Sequence, residues 1–164
     1  MKYVLGCDPG NNGAIALYNP EELVIFDMPL LEITRNGKKR HQIDLYALAK
    51  FIDHHAVNIE KAYIENPMGM PGMASNSTYR LGLNVGIAQM AIASAFIPMR
   101  LISPNQWKKS MGLSKDKDAS RLKASQMFPQ WSEYWNRSKD DGRAEALLIC
   151  KFGLDTDNHS TVEQ

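Results

Sequence analysis

Hydrophobic and polar residues follow one another along the chain in two patterns, short apolar runs and longer runs with helical spacing. The short runs are bounded by turn-forming residues, which is typical of β-strands. They predict strands at residues 2–8, 14–18, 23–28, 62–65 and 99–102. Apolar residues three and four positions apart predict helices at residues 44–55, 78–96, 104–111, 117–128 and 140–152. Because the first three strands are joined by short turns and the later ones alternate with helices, we predict an α/β fold. Its sheet is expected to be mixed, with the first three strands antiparallel and helices on both faces.

The segments between these elements follow neither pattern. Residues 35–40 are a basic stretch that fits either a loop or a hairpin. Residues 66–77 contain two prolines, two glycines and three methionines, which predicts a long loop. Residues 128–135 are an aromatic-rich connection. We expect a single domain over residues 1–153, followed by a polar, loose tail at residues 154–164.

The composition limits the class of protein. The chain has 164 residues, 44% of them apolar and 23% charged, which is ordinary for one globular domain. Its net charge of +1 gives no general basic field, although lysines and arginines cluster locally. Cys7 and Cys150 lie in apolar runs and are expected to be buried free thiols in a reducing compartment. With no leader-like segment and no apolar run of about 18 residues, we expect a cytoplasmic protein without a membrane partner, in the host cytoplasm if it is phage-encoded.

Acidic residues stand where apolar strands end and where an apolar helix begins. Asp8 ends the first strand and Glu65 ends the fourth. Asp141 and Glu145 are four residues apart, so a helix places both carboxylates on one face. Burying unpaired carboxylates is costly, and a divalent cation shared between them would offset that cost. Carboxylates without histidine or cysteine partners suit a hard cation such as Mg²⁺ or Mn²⁺, which points to an enzyme acting on phosphates.

A structural role as a cap explains some of these acids but not others. Asp8 can cap the turn that follows its strand, and Asp140 or Asp141 can cap the last helix. Glu65 has no helix to cap. Glu145 shares a helix face that is otherwise apolar, and capping does not account for it.

Basic and polar residues elsewhere are candidates for contacts with substrate phosphates. The alternative is a solvated helix face paired with nearby aspartates for the lysines, and capping of the next helix for Asn76 and Ser77. Trp107, Trp131 and Trp135 are interpreted as core residues rather than as stacking platforms. The phosphate-contact candidates are Arg80, Lys108, Lys109, Lys115, Lys117, Asn76, Ser77, Lys38, Lys39 and Arg40.

The long predicted helix at residues 78–96 is apolar on nearly all sides, so it must be buried on more than one face. Gly82 and Gly86 permit another helix to approach closely. We expect one face to pack on the sheet and another to pack on a twofold-related copy. The candidate dimer residues are Leu81, Gly82, Val85, Gly86 and Gln89.

Four motifs together resemble the RuvC family of Holliday-junction resolvases, within the ribonuclease H-like superfold. They are G-C-D-P-G on the first strand, Y-I-E-N on the fourth, Y-R-L-G in the long helix and D-G-R-A-E-A-L-L-I in the last helix. The resemblance extends over residues 1–153 and is strongest to the compact members found in bacteriophages. It implies a five-stranded mixed sheet and a homodimer that nicks two strands of a four-way DNA junction symmetrically. It also implies two Mg²⁺ ions per active site, replaceable by Mn²⁺, with ligands at Asp8, Glu65, Asp141 and Glu145.

Two features depart from the family pattern. Many members carry two aspartates three residues apart on the last helix, whereas here the acids are four apart and one is a glutamate, which leaves Asp140 as an alternative to Asp141. In the family, the loop after the second acid engages junction bases, sometimes with an aromatic residue. The corresponding loop here has no aromatic residue and offers Met68 instead.

Other functions remain open from the sequence. The segment D-P-G-N-N-G also resembles the phosphate loop of sugar kinases and actin-like ATPases, but those proteins need a duplicated domain, so we expect no nucleotide cofactor. Another nuclease of the same fold, acting on flaps or RNA–DNA hybrids, is a closer alternative. A junction-binding protein without activity is the third.

Overall fold

The structure is a computed structural model that describes residues 2–69, 72–114, 116 and 118–162. Its strands are β1 (Tyr3–Cys7), β2 (Ala14–Tyr18), β3 (Leu23–Asp27), β4 (Leu30–Arg35), β5 (Lys38–Ile43), β6 (Ile59–Glu65) and β7 (Met99–Ile102). Its α-helices are α1 (Leu45–His55), α2 (Ser75–Ser94), α3 (Pro104–Ser110), α4 (Ala119–Met127) and α5 (Asp141–Val162). Short 3-10 helices cover Ala56–Asn58, Pro129–Trp135 and Ser138–Asp140.

Five strands form one mixed sheet in the order β3-β2-β1-β6-β7. The pairs β3–β2 and β2–β1 are antiparallel, while β1–β6 and β6–β7 are parallel. This confirms the predicted mixed sheet with three antiparallel strands at its start. The strands β4 and β5 form a separate two-stranded hairpin.

Helices cover both faces of the sheet, because alternate strand residues enter two separate cores. On one face, Ala14, Ala16 and Tyr63 pack with residues of α3, α4 and α5. On the other face, residues of β1, β2 and β6 pack with α1 and α2 through side chains that include Leu48 and Ile92. The predicted two-faced arrangement is therefore confirmed.

Local signals explain several element boundaries. Asp44 caps α1 as expected, since its side chain accepts hydrogen bonds from the backbone N–H groups of Tyr46 and Ala47 at 3.0 Å. The basic stretch is a hairpin longer than expected, spanning 30–43, and its turn is Asn36–Gly37 with positive φ at both residues. Such turns match the twist of the paired strands, so the ambiguous sequence resolves to a hairpin.

The last helix continues well beyond the predicted end. The sequence predicts an end near Phe152 and a loose tail, whereas α5 runs to Val162. Two contacts keep the extension helical, an ion pair between Lys151 and Asp155 within the helix and the pairing of Asp157 with Arg100 on β7. The polarity of this segment therefore reflects a partly exposed helix. Within the described part of the chain, none of the helices has the length and apolar character to cross a bilayer.

Candidate active site

Two carboxylates meet at the ends of adjacent parallel strands. Cys7 of β1 is paired with Ile64 of β6, so the next residues, Asp8 and Glu65, emerge at the same edge of the sheet. Glu65 is only 7% exposed. The placement follows from the sequence, since each acid directly ends an apolar strand.

A close backbone contact brings the loop after Asp8 to the start of α5. Gly13 and Gly142 form an isolated β-bridge. A Cβ atom on Gly142 would lie 2.2 Å from the carbonyl oxygen of Asn12, and one on Gly13 would lie 2.1 Å from that of Asp8. Only glycine fits at either position. The space at Gly13 is thus occupied by protein.

The N-terminal turns of α5 supply the other two acids. Asp141 is the first residue of the helix, and Glu145 lies one turn later. Both are half-buried and line a groove of about 580 Å³ together with Lys108, Lys109 and Ser120. The shared helix face predicted for Asp141 and Glu145 is thus present.

The carboxylates influence one another electrostatically. Burial and the charges of Glu65 and Glu145 raise the pKa of Asp8 to about 7. Burial and Glu145 also raise the pKa of Glu65, in spite of a stabilising hydrogen bond. The carboxylates of Asp8, Glu65 and Glu145 therefore lie close enough together for their charges to interact.

A buried tryptophan fixes Glu65. The indole Nε1–H of Trp107, in α3, donates to Glu65 Oε1 at 2.9 Å, and the ring is fully buried. The interpretation of Trp107 as a core residue fits its burial. Its contact with the candidate site was not predicted, because the pairing of α3 with β6 has no local sequence signal.

Lys108 lies among the acids. Its Nζ donates to Glu145 Oε1 at 3.1 Å, and the hydroxyl of Ser120 donates to the same oxygen at 2.9 Å. Burial lowers the pKa of Lys108, but the charges of Glu145, Glu65 and Asp8 outweigh burial and the pKa lies above its ordinary value. We predicted Lys108 only as a phosphate contact, and its pairing with the acids is an additional finding.

Asp141 and Asp140 have different surroundings, although they are adjacent. Asp141 is paired with Arg121, whose Nε lies 2.8 Å from Asp141 Oδ1, and its pKa is raised mainly by burial. Asp140 is buried against Arg137, which donates to both carboxylate oxygens at 2.8 and 2.9 Å and holds the pKa of Asp140 below its usual range. Asp140 forms part of a capping box with Arg137. Of the two neighbours, Asp141 is the one beside Glu145.

The donor set fits a hard divalent cation in its chemistry. All four candidate ligands are carboxylates, and three of them, Asp8, Glu65 and Glu145, lie close enough together for their charges to interact. Among the described residues, no three His, Cys, Asp or Glu side chains are arranged to hold an ion. Instead Trp107, Lys108 and Arg121 each hold one carboxylate. Lys108 and Arg121 would have to release Glu145 and Asp141 for these to share a cation with Asp8 and Glu65.

The candidate phosphate contacts fall in three places. Arg80 and Ser77 line a pocket of about 270 Å³ beside Gly10 and Asn11, next to the loop that follows Asp8. Lys109 is exposed in the groove that contains Glu145. The remaining candidates are exposed: Asn76 in the first turn of α2, Met68 in the preceding loop, and Lys38, Lys39 and Arg40 on β5. Lys115 and Lys117 lie outside the described residues.

The candidate dimer residues divide between two faces of α2. Val85 is 5% exposed and packs in the core of its own chain, so the inclusion of Val85 in a dimer surface is corrected. Leu81 and Gln89 are half-buried. Gly82 and Gly86 have open space above them. The helix turns an apolar face outward there, and Tyr79, Leu83 and Met90 are the exposed residues of that face.

Comparison with known proteins places the fold. No protein-family profile matches the chain. The chloroplast Holliday junction resolvase MOC1 of Chlamydomonas reinhardtii is 33% identical in an alignment of 102 residues that covers 56% of this chain and 11% of that protein. The chain thus spans only a small part of this curated relative.

Two solved structures have a similar architecture. Thermus thermophilus RuvC in complex with a Holliday junction substrate superposes with a TM-score of 0.58 at 16% identity, covering 96% of this chain and 97% of that one. Another Thermus thermophilus RuvC structure gives a TM-score of 0.57 at 14% identity, covering 94% and 96%. Together with the sheet order, these matches confirm the predicted resemblance: the chain has the ribonuclease H-like fold of RuvC resolvases.

Proposed function

We propose that the protein is a metal-dependent endonuclease that resolves four-way DNA junctions and related branched DNA by paired phosphodiester hydrolysis. The observation that carries the proposal is the electrostatic interaction of the Asp8, Glu65 and Glu145 carboxylates at one edge of the sheet. The sheet belongs to a fold similar to that of RuvC. Burying several carboxylates together lowers the stability of the fold. An enzyme that binds cations there offsets this loss when the cations are bound.

Asp8, Glu65, Asp141 and Glu145 would hold the metal, two Mg²⁺ ions per site with Mn²⁺ as a substitute. Such ions, when bound, activate a water molecule and stabilise charge on the leaving oxygen. The chain's own residues set the geometry. Trp107 keeps one oxygen of Glu65 fixed through its indole N–H, and the other oxygen is left for the site.

Lys108 and Arg121 supply positive charge at the same edge. Each is paired with an acid of α5, at 3.1 Å for Lys108 and 2.8 Å for Arg121. Binding of cations by the carboxylates would release both side chains toward the groove, where they can contact the phosphates that flank the cut. The same residues thus neutralise the acids before substrate binding and bind DNA afterwards.

Residues around the loop after Asp8 would position the junction. Arg80 and Ser77 line the pocket beside Gly10, and Lys109 lies in the groove with Glu145. Asn76 is a further candidate phosphate contact, and Met68, 81% exposed, is the candidate to enter between separated bases. A homodimer would present two such sites to the two strands that are cut.

Asp8→Asn tests the function directly, because it removes one ligand charge and keeps the shape of the side chain. We expect junction cleavage in Mg²⁺ to fall roughly a thousandfold or more, since metal catalysis contributes several kcal/mol and each 1.4 kcal/mol is a factor of ten. Binding to the junction should persist. Asp53→Asn, at an exposed position of α1, is the matched control and should cut like the parent.

The assay compares a labelled four-way junction with a flap, an RNA–DNA hybrid and a linear duplex, with and without metal. Preferential, metal-dependent cutting of the junction supports the proposal. Preferential cutting of the flap or the hybrid identifies the alternative nuclease. Metal-independent cutting, or full activity of Asp8→Asn, contradicts the assigned site.

A further inference from the structure

The hairpin formed by β4 and β5 separates charge between its two faces. Directly paired residues of antiparallel strands share a face, and successive pairs alternate. The pairs Arg35–Lys38 and Ile33–Arg40 therefore lie on one face. Arg35, Lys38 and Arg40 form what we call the cationic face. Residues 30–43 contain one acid, Glu32, and it is not on this face.

The opposite face is neutralised. It carries the pairs Thr34–Lys39 and Glu32–His41. Lys39 Nζ lies 2.9 Å from Glu32 Oε1. Lysines on an exposed strand commonly protect it from pairing with another chain, but that role does not require the cations to be gathered on one face.

The hairpin adds surface rather than core. Residues 30–42 are exposed except for Ile33, which is half-buried, and only Ile43 at the base enters the main core. An isolated two-stranded hairpin is marginally stable in water. An element that contributes little to the core and concentrates charge on one face is suited to binding.

The base of the hairpin is tied to the candidate active site. The side-chain amide of Asn11, in the loop after Asp8, donates to the carbonyl oxygen of His41 at 3.3 Å. The amide of Asn84 on α2 donates to the other end of the Asn11 side chain at 3.0 Å. Arg40 is adjacent to His41, and Lys38 is about 10 Å beyond His41 at roughly 3.4 Å per residue.

We propose that the cationic face binds the phosphate backbone of one duplex arm of the DNA substrate, and that Lys39 does not take part. The inference rests on the proposed function and deepens it by assigning the hairpin to arm binding rather than to cutting. The two guanidinium groups and the one ammonium group of this face have no acid among them, so their positive charge is complementary to the negative charge of a nucleic-acid backbone. Phosphate contacts of this kind position the duplex without reading its sequence.

Arg40→Gln and Lys39→Gln form a matched pair, because they are neighbours on opposite faces and each removes one positive charge. The measurement is equilibrium binding of a fluorescent four-way junction over a series of salt concentrations, with Ca²⁺ in place of Mg²⁺ so that cutting is suppressed. We expect Arg40→Gln to raise the dissociation constant about three- to tenfold and to reduce the salt slope by about 0.9, the value for one phosphate contact. Lys39→Gln should stay within about twofold of the parent.

The triple variant Arg35→Gln/Lys38→Gln/Arg40→Gln should bind roughly 10- to 100-fold more weakly, with a slope reduced by up to about 2.7 for three contacts. Its single-turnover cutting rate at saturating protein should equal that of the parent. The thermal midpoint of each variant checks folding, and Arg40→Lys should restore binding and slope.

Equal binding by the triple variant and the parent would overturn the inference, and so would equal weakening by Lys39→Gln and Arg40→Gln. These results leave the proposed function standing if the parent cuts junctions. A parent that binds junctions without cutting them contradicts the proposed function alone, and the hairpin comparison remains decisive. A parent that binds no DNA contradicts both.

Discussion

Trp107 and Lys108 are consecutive residues of α3, and each contacts a different acid. The indole N–H donates to Glu65 inside the core, and the ammonium group donates to Glu145 in the groove. A buried indole N–H needs an acceptor, and here the acceptor is a candidate metal ligand. One helix turn thus sets the position of two of the four acids.

Trp107→Phe removes this hydrogen bond while keeping an aromatic ring in the core. We expect the free energy of unfolding to fall by about 1.5–3 kcal/mol, the usual contribution of a hydrogen bond to a charged group. Cutting at subsaturating Mg²⁺ should fall about tenfold, because Glu65 loses its fixed orientation and misplaced ligands typically weaken a metal site by about 10- to 100-fold.

Trp135→Phe is the control, since buried Trp135 donates its Nε1–H to the neutral hydroxyl of Ser125 at 2.9 Å. It should lower stability by about 1 kcal/mol and leave the metal dependence of cutting unchanged. If both variants shift the Mg²⁺ requirement equally, Trp107 has no specific role at the site.

The sequence supports prediction of the acids better than prediction of their partners. Asp8 and Glu65 stand at strand ends, and Glu145 interrupts an apolar helix face, so each leaves a local signal. The contacts of Trp107 and Lys108 depend on how α3 packs against β6 and α5. No spacing rule connects residues so far apart in the chain.

At the scale of elements, α5 has two parts with different partners. Its first turns carry Asp141 and Glu145 at the candidate site. Its last turns carry Asp157, which is bonded to Lys61 and Tyr63 of β6 and to Arg100 of β7. The last turns of the helix are therefore fixed to the parallel half of the sheet. The sequence indicated only the first part, since the partners of Asp157 lie on strands that are distant in the chain.

Asp157→Ala should lower the free energy of unfolding by about 1–2 kcal/mol at neutral pH. The substitution removes the carboxylate that several partly exposed side chains bind. Burial raises the pKa of Asp157, but its bonds to Lys61, Tyr63 and Arg100 outweigh burial, and the pKa lies below the ordinary value. The stabilisation is thus present above the pKa of the unfolded chain and is lost as the pH falls through the folded value. The difference between parent and variant should shrink below about pH 4.

Denaturant unfolding at several pH values measures this difference. Asp155→Ala is the control on the same helix, because Asp155 pairs with the neighbouring turn through Lys151 and is more exposed than Asp157. It should cost about 0.5 kcal/mol or less. Equal losses for the two variants would show that the extension of α5 is not held by the sheet.

At the scale of the whole molecule, the outer face of α2 is an exposed apolar surface. Tyr79, Leu83 and Met90 are 68%, 44% and 63% exposed, and Gly82 and Gly86 leave open space between them. A surface of this kind marks an association site. The sequence predicted a dimer helix that includes Gly82 and Gly86, but it could not distinguish the buried Val85 from the exposed Leu83, since the helix is apolar on nearly every side.

Leu83→Glu tests this surface. If two copies pack through α2, a charge at the centre of the contact is desolvated without a partner, and the dimer dissociation constant should rise at least tenfold. Light scattering at micromolar concentration measures the change. Val57→Glu is the control, because Val57 is 81% exposed and belongs to a different element, the 3-10 helix Ala56–Asn58. A parent protein that is monomeric under these conditions contradicts the dimer.

The proposed function requires a divalent cation shared by the carboxylates at the edge of the sheet where β1 and β6 end. Anomalous scattering from crystals soaked in Mn²⁺ locates such ions directly. We expect strong peaks bounded by the carboxylates of Asp8, Glu65, Asp141 and Glu145, with Lys108 and Arg121 turned away from Glu145 and Asp141. Crystals in which these two pairs persist and the four carboxylates carry no anomalous peak would contradict the account.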